Sequence, residues 1–221
     1  MAEDSYTATY REYVAAIFEL GEEGLPVIQA RIADWLGVSR ASVSEMIRKM
    51  ESDGLVGVGS EIILSPEGRH LAEVVVRRHR LAERFLTEVL GLPWVKVHAE
   101  AEVWELAISD DVEEAMLEKL GQPTTCPHGN PIPGAGYRQP SLSQMSNLSS
   151  EALYLHRVSE ELELDNDIMG FLDDSGLRPG ARVELVARTP DGTLTISVQD
   201  GERVGVSPFI ADRLFLSDSP V

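Results

Sequence analysis

Histidines and carboxylates recur at helical spacing in two short stretches of this sequence. RRHRLAERFL (Arg77–Leu86) carries His79 and Glu83, four apart. VHAEAEVWELAISDD (Val97–Asp111) carries His98, Glu102 and Glu105, four and three apart. Residues at i, i+4 and i+7 share one face of a helix. If the two helices pack antiparallel, His79, Glu83 and His98 converge on one point. Two imidazoles and a carboxylate suit Mn²⁺, Fe²⁺, Co²⁺ or Zn²⁺. The plainer reading is a buried His–Glu hydrogen-bonded pair with His98 on the surface. Glu102 and Glu105 pose a second question, because ionised carboxylates at i, i+3 repel by a few tenths of a kcal/mol, roughly. A divalent cation relieves that repulsion, and hard oxygen ligands favour Mn²⁺. A solvated acidic face is the plainer alternative in so acidic a chain.

The elements that must position these residues follow from periodicity and punctuation. Tyr6–Leu20 places Tyr10, Val14, Ile17 and Phe18 at helical spacing, with Gly21 and Gly24 to end the helix. Val27–Leu36 is a second helix closed by Gly37, and Ser39 is the N-cap of a third that runs to Gly54. Helix, short glycine turn and serine-capped helix form the helix-turn-helix pattern. Leu55–Leu64, β-branched and glycine-interrupted, reads as a wing. Ser65-Pro66-Glu67 opens another helix, and Leu71–Leu90 is long and helical, with Arg77, Arg78, Arg80 and Arg84 as the densest basic cluster. Asp110–Leu120 is amphipathic. These helices carry more apolar residues than one thin layer can bury, which points to a homodimer interface. The recognition helix, Ser39–Asp53, offers Ser39, Arg40, Ser42, Ser44, Arg48 and Lys49 to DNA phosphates and base edges, with Glu45 beside them. A solvated helix face is the alternative there too.

Gln122–Leu148 is rich in Pro, Gly, Ser, Asn and Gln and reads as a linker or irregular, partly disordered loop. Ser149–Leu162 fits a short helix or strand, and Ile168–Ser175 a short helix. Arg182–Val186, Thr193–Val198 and Glu202–Val206 read as strands separated by Pro190-Asp191-Gly192 and Asp200-Gly201 turns. The fold class expected is mainly α with small β. It comprises a winged helix-turn-helix (1–73), a helical metal-binding and dimerisation domain (74–140), a linker (141–150) and an SH3-like, FeoA-like β-barrel (151–221).

Composition narrows the function. The 221 residues suffice for two or three small domains, and the net charge of −18 argues against broad attachment to nucleic acid or an anionic membrane. A local basic patch can still meet DNA. The one cysteine, Cys126, excludes a disulfide framework and a Cys-rich zinc site, and suits a reducing cytoplasm. No apolar run is long enough to span a bilayer, and Met1–Tyr10 is unlike a secretory signal. HExxH helices, nucleophile elbows and glycine-rich phosphate loops are lacking, which weighs against a metallohydrolase and a small-molecule substrate.

RRHRLAERFL, VHAEAEVWELAISDDVE (Val97–Glu113) and CPHGNPIPG (Cys126–Gly134), in this order around a winged helix and a terminal barrel, carry a resemblance over nearly the whole chain. The sequence resembles the DtxR/MntR-type (diphtheria toxin repressor-like) metal-dependent transcriptional repressors. The resemblance implies a cytoplasmic homodimer that binds operator DNA when Fe²⁺ or Mn²⁺ is abundant, and that is not an enzyme. It implies an ancillary metal site of His79, Glu83 and His98, completed by a carboxylate or amide near the start of the barrel, for which Asp165, or Asp167, is the candidate. It implies a second, effector-sensing site of Glu12, Glu102, Glu105 and a histidine at the next position. Glutamate at position 102, where iron-responsive relatives carry cysteine, leans toward Mn²⁺ with Fe²⁺ as runner-up. The sequence departs from the family at Leu106, which stands in the histidine position and cannot ligate. Water, Asp4 or Glu12 could complete that site, Cys126 and His128 are distant substitutes, or the site is lost. A metal-independent winged-helix regulator is the alternative that Leu106 supports.

Overall fold

The computed structural model describes residues 6–149, 152–199 and 201–220; Asp4, a candidate ligand, lies outside them, as do Ser150, Glu151 and Asp200. The chain divides into two compact units. One holds the residues up to His79 together with Trp104–Ile108, and the other holds Arg80–Val103 and the chain from Ser109 onward.

In the first unit, α1 (Ala8–Glu22) buries Tyr10, Tyr13, Val14, Ile17 and Leu20, the i, i+3, i+4, i+7 stripe of an amphipathic helix. It runs two residues past the expected end at Leu20, with Gly21 exposed and still helical, and the chain turns at Gly24, with φ of 67°. α2 (Gln29–Leu36) ends at Gly37, whose φ of 64° makes the left-handed turn into the next helix. Ser39 caps α3 (Arg40–Ser52) by accepting from the Ser42 N–H at 3.1 Å, and Val43, Ile47 and Met50 face the core. Tyr10 donates its hydroxyl proton to Asp53, and burial followed by that carboxylate pushes the phenol up to about 12. The wing is β1 (Val56–Val58) paired antiparallel with β2 (Ile62–Leu64), Val56 opposite Leu64. The two helices expected after the wing are one, α4 (Pro66–Glu88), because nothing between Pro66 and Leu71 interrupts it.

In the second unit, Trp94–Lys96 makes a 3-10 turn into α5 (Val97–Trp104), and α6 (Asp110–Lys119) is capped by Ser109. α5 stops at Trp104, so Glu105 and Leu106 lie in the following turn and the i+7 projection to Glu105 fails. The Gln122–Leu148 stretch is ordered and partly buried, contrary to its polar composition. Its turns close on themselves (Cys126 N–H to Asn130 O, 2.8 Å; Gly129 N–H to Cys126 O, 3.0 Å). Ser143–Gln144, expected in a linker, forms β3.

The remaining elements are β4 (Leu153–Val158), α7 (Glu160–Glu163), α8 (Asn166–Asp174), β5 (Arg182–Arg188), β6 (Leu194–Val198), β7 (Arg203–Val206), α9 (Pro208–Ala211) and β8 (Leu214–Ser217). The last two carry no signal in the sequence reading. Six strands pair antiparallel in the order β3-β8-β4-β5-β6-β7, the SH3-like β domain. Leu194, Ile196 and Val198 alternate into a core shared with Leu155, Leu172, Leu214 and Leu216. Among the described residues no helix is long and apolar enough to cross a membrane.

Candidate metal centre

Four pieces of the second unit converge below its surface. α4 supplies Arg80 and Glu83, α5 supplies His98, the Cys126–Asn130 loop supplies Cys126, His128 and Asn130, and α7 supplies Glu160 and Glu163, all of them buried. Ser159 starts α7 by accepting from the Glu161 N–H, and the i, i+3 spacing then turns Glu160 and Glu163 to one side.

Glu83, His98 and Glu163 each offer a ligand atom within 4.8 Å of the other two. His98 Nδ1 lies 3.4 Å from Glu83 Oε1, 3.4 Å from Glu163 Oε2 and 3.7 Å from Glu160 Oε1. His128 Nδ1 lies 2.7 Å from Glu163 Oε2 and 3.3 Å from Glu83 Oε1. Asn130 donates to Glu163 Oε1 at 2.6 Å and to the Val158 carbonyl at 3.1 Å, which fixes the outer oxygen of Glu163 and leaves Oε2 facing the imidazoles. Arg80 Nη2 donates to Glu160 Oε2 at 3.0 Å, and Arg157 Nη1 donates to Asn130 Oδ1 at 3.2 Å.

Burial, then the nearby Glu160 and Glu83 carboxylates, push Glu163 above its ordinary value, while His128 pulls it back. Burial alone would lower His128, but the Glu163 and Glu83 carboxylates hold it well above an ordinary imidazole. Burial and Glu83 push the Cys126 thiol up to about 12. Protons thus gather where negative charge is concentrated in low dielectric, and a divalent cation can take their place. Oxygen and imidazole donors with spacings near 3 Å fit the first coordination shell of such an ion.

The loop is seated by backbone contacts. The Val158 N–H donates to the His128 carbonyl at 2.9 Å, and Gly129 has φ of 91° with room for no side chain, since a Cβ would lie 2.2 Å from the His156 carbonyl. Gly129→Ala should therefore destabilise the protein by more than about 1 kcal/mol, read as a lower denaturation midpoint in chelator, and should weaken metal binding in parallel. An unchanged midpoint would mean the loop seats without that contact.

The other expected residues are placed as follows. His79, buried on α4, has Nδ1 2.7 Å from Glu105 Oε2, a pair within the first unit. Glu12 is exposed on α1. Glu102 is exposed, its Oε1 3.9 Å from His98 Nε2. Asp165 is not brought to the cluster: it is exposed and caps α8, accepting from the Asp167 and Ile168 N–H groups at 2.9 and 3.1 Å. Asp167 is exposed on α8 as well. Glu160 and Glu163 stand where Asp165 was expected, and the Ser159 cap followed by glutamates three apart was the signal for them. The basic run is not a surface patch, since Arg78 and Arg80 are buried. On α3, Ser39, Arg40, Ser42, Arg48 and Lys49 are exposed and Ser44 is half-buried. Arg48 Nε donates to the Ser44 carbonyl at 3.0 Å, and Lys49 Nζ lies 5.0 Å from the Tyr10 ring centre.

Three family models match the chain. They are the iron-dependent repressor N-terminal DNA-binding domain at residues 5–60, its metal-binding and dimerisation domain at 65–134, and the FeoA domain at 149–218. The iron-dependent repressor IdeR of Mycobacterium tuberculosis is 40% identical over 210 residues, covering 89% of this chain and 91% of that one. The chain belongs to the iron-dependent repressor family. The diphtheria toxin repressor of Corynebacterium diphtheriae, in the same family, is 37% identical over 86% of this chain and 88% of its own. A solved manganese-dependent transcriptional repressor in complex with manganese superposes with a TM-score of 0.86 at 31% identity, over 95% of this chain and all of that one. The family is one of metal-dependent transcriptional repressors, and its relatives include both iron- and manganese-dependent members. The buried donor set fits a cofactor of either kind.

Proposed function

We propose that this chain is a homodimeric repressor that binds operator DNA when a divalent cation occupies the Glu83–His98–Glu163 centre, with Mn²⁺ preferred to Fe²⁺. The observation that carries this reading is the convergence of those three donors below the surface, from elements distant in sequence. The excess of carboxylate oxygens supports Mn²⁺ over ions that prefer nitrogen or sulfur. When bound, the ion supplies positive charge that neutralises the carboxylates and ties α4 to α5 and α7. α4 is one continuous helix from Pro66 beside the wing to Glu88, so a restraint at Glu83 bears on the element that leads out of the DNA-binding domain. Metal and DNA then favour the same state of the dimer, and each tightens the other.

Operator binding measured with Mn²⁺, with Fe²⁺ and with chelator tests the reading. Tight binding with Mn²⁺, weaker binding with Fe²⁺ and least with chelator is expected. Leu106, half-buried in the turn after α5 and unable to ligate, favours a second reading in which regulation is metal-independent. Equal binding in all three conditions would establish that one.

The exposed cations of α3 serve phosphate contact in this proposal. Arg48→Ala should weaken binding to specific and random DNA alike and lower the slope of log affinity against log salt by about 1, seen by fluorescence anisotropy over a salt series. An unchanged slope would place Arg48 away from the backbone.

A further inference from the structure

The buried cluster has a second side. Glu83 Oε1 and Glu163 Oε2 face His98 Nδ1, and the same two oxygens face His128 Nδ1. Cys126 Sγ lies 3.9 Å from His128 Nδ1, and Glu83, Cys126 and His128 form their own set of donors, all within 4.8 Å of one another and all buried. We infer that this side is a second cation position, built from Cys126, His128 and a Glu83 shared with the His98 position, and that it takes a thiophilic divalent ion of the zinc or cobalt type.

The spacing suits such an ion. Bonds of about 2.0–2.3 Å in a tetrahedral site put neighbouring donors roughly 3.3–3.8 Å apart. Glu83 Oε1 to His128 Nδ1 is 3.3 Å, and Cys126 Sγ to His128 Nδ1 is 3.9 Å. The ligands are also held before the ion arrives. The loop closes through the Cys126–Asn130 and Gly129–Cys126 backbone hydrogen bonds, and the His128 N–H donates to Cys126 Sγ at 3.3 Å. His128 Nε2 lies 3.4 Å from the Trp94 carbonyl, with the indole ring centre 4.8 Å from the imidazole. A proton on Nε2, donated to that carbonyl, leaves Nδ1 as the metal donor, the usual arrangement of a ligating histidine. Binding would displace the proton between His128 Nδ1 and Glu163 and the thiol proton of Cys126, both of which pass to solvent.

The donor types separate the two positions. The His98 side offers one imidazole and carboxylate oxygens, whereas the loop side adds a thiolate, which selects softer ions. The inference shares Glu83 with the proposed sensing centre but does not depend on DNA binding.

Cys126 is the single cysteine of the chain, so any thiolate-to-cobalt charge-transfer absorption can come only from this position. The purified full-length protein is titrated with Co²⁺. A near-ultraviolet charge-transfer band that saturates at one equivalent per chain is expected, and excess Zn²⁺ should bleach it. Cys126→Ser should lose the band, and His128→Gln should lose or strongly weaken it, each checked for folding by circular dichroism. His98→Ala should keep the band while losing Mn²⁺-stimulated DNA binding. Wild-type protein that binds Co²⁺ without a charge-transfer band would overturn the inference. If the same sample still bound operator DNA in response to Mn²⁺, the proposed function would stand alone.

Discussion

Glu83→Gln should abolish metal-stimulated DNA binding. Glu83 Oε1 faces both imidazoles of the cluster, so the substitution removes charge from the point where every bound cation would sit. Loss of a residue that merely orients a ligand typically weakens metal binding about 10–100-fold. Loss of a shared ligand should therefore exceed about 100-fold. Thermal denaturation gives a reading independent of DNA. At a Mn²⁺ concentration near one hundred times the wild-type Kd, binding stabilises the wild type by about 2.7 kcal/mol, whereas a hundredfold weaker variant gains only about 0.4 kcal/mol. The midpoint of the wild type should thus climb on adding Mn²⁺, and that of Glu83→Gln should barely move. A variant that climbs as far as the wild type would remove Glu83 from the centre. Glutamine keeps the shape of the side chain, so a general packing defect would show in chelator as well.

The sequence made part of this centre legible and left part hidden, for identifiable reasons. Glu83 and His98 could be found because each lies on a helix long enough for periodicity to show which residues share a face. Ser39 and Gly37 were legible because caps and left-handed turns demand particular residue types. Glu105 was misplaced because the projection along α5 assumed a helix that stops at Trp104. Glu160 and Glu163 lie on a four-residue helix, too short for a hydrophobic stripe, so the Ser159 cap and their i, i+3 spacing are the only marks of them in the sequence. The Cys126–Asn130 loop was hidden differently. Backbone groups hold much of it, including the His128 carbonyl accepting from Val158, and such contacts leave no side-chain pattern to read. Its proline- and glycine-rich composition points to exposure, yet Cys126, His128 and Asn130 are almost wholly buried.

Removal of Arg80 carries the largest expected loss of stability. By residue type Arg80 belongs at the surface, since arginine is rarely fully buried. It is instead fully buried, donating to Glu160, eighty residues away, and to the Pro131 carbonyl. Arg80→Ala would leave Glu160 without its arginine, beside Glu83 and Glu163. Breaking a buried ion pair from one side costs about 3–5 kcal/mol, because the remaining charge stays in low dielectric. Glu73→Gln, at the exposed Arg69–Glu73 pair, should by contrast cost less than about 0.5 kcal/mol. Equilibrium denaturation of both variants in chelator measures the difference. The same Arg80→Ala protein should recover more stability from Mn²⁺ than the wild type does, because the cation then supplies positive charge that the arginine no longer provides. A small loss in chelator, or no extra recovery with Mn²⁺, would show that Glu160 is neutralised by protonation rather than by its arginine, and that the cation and Arg80 do not answer the same charge.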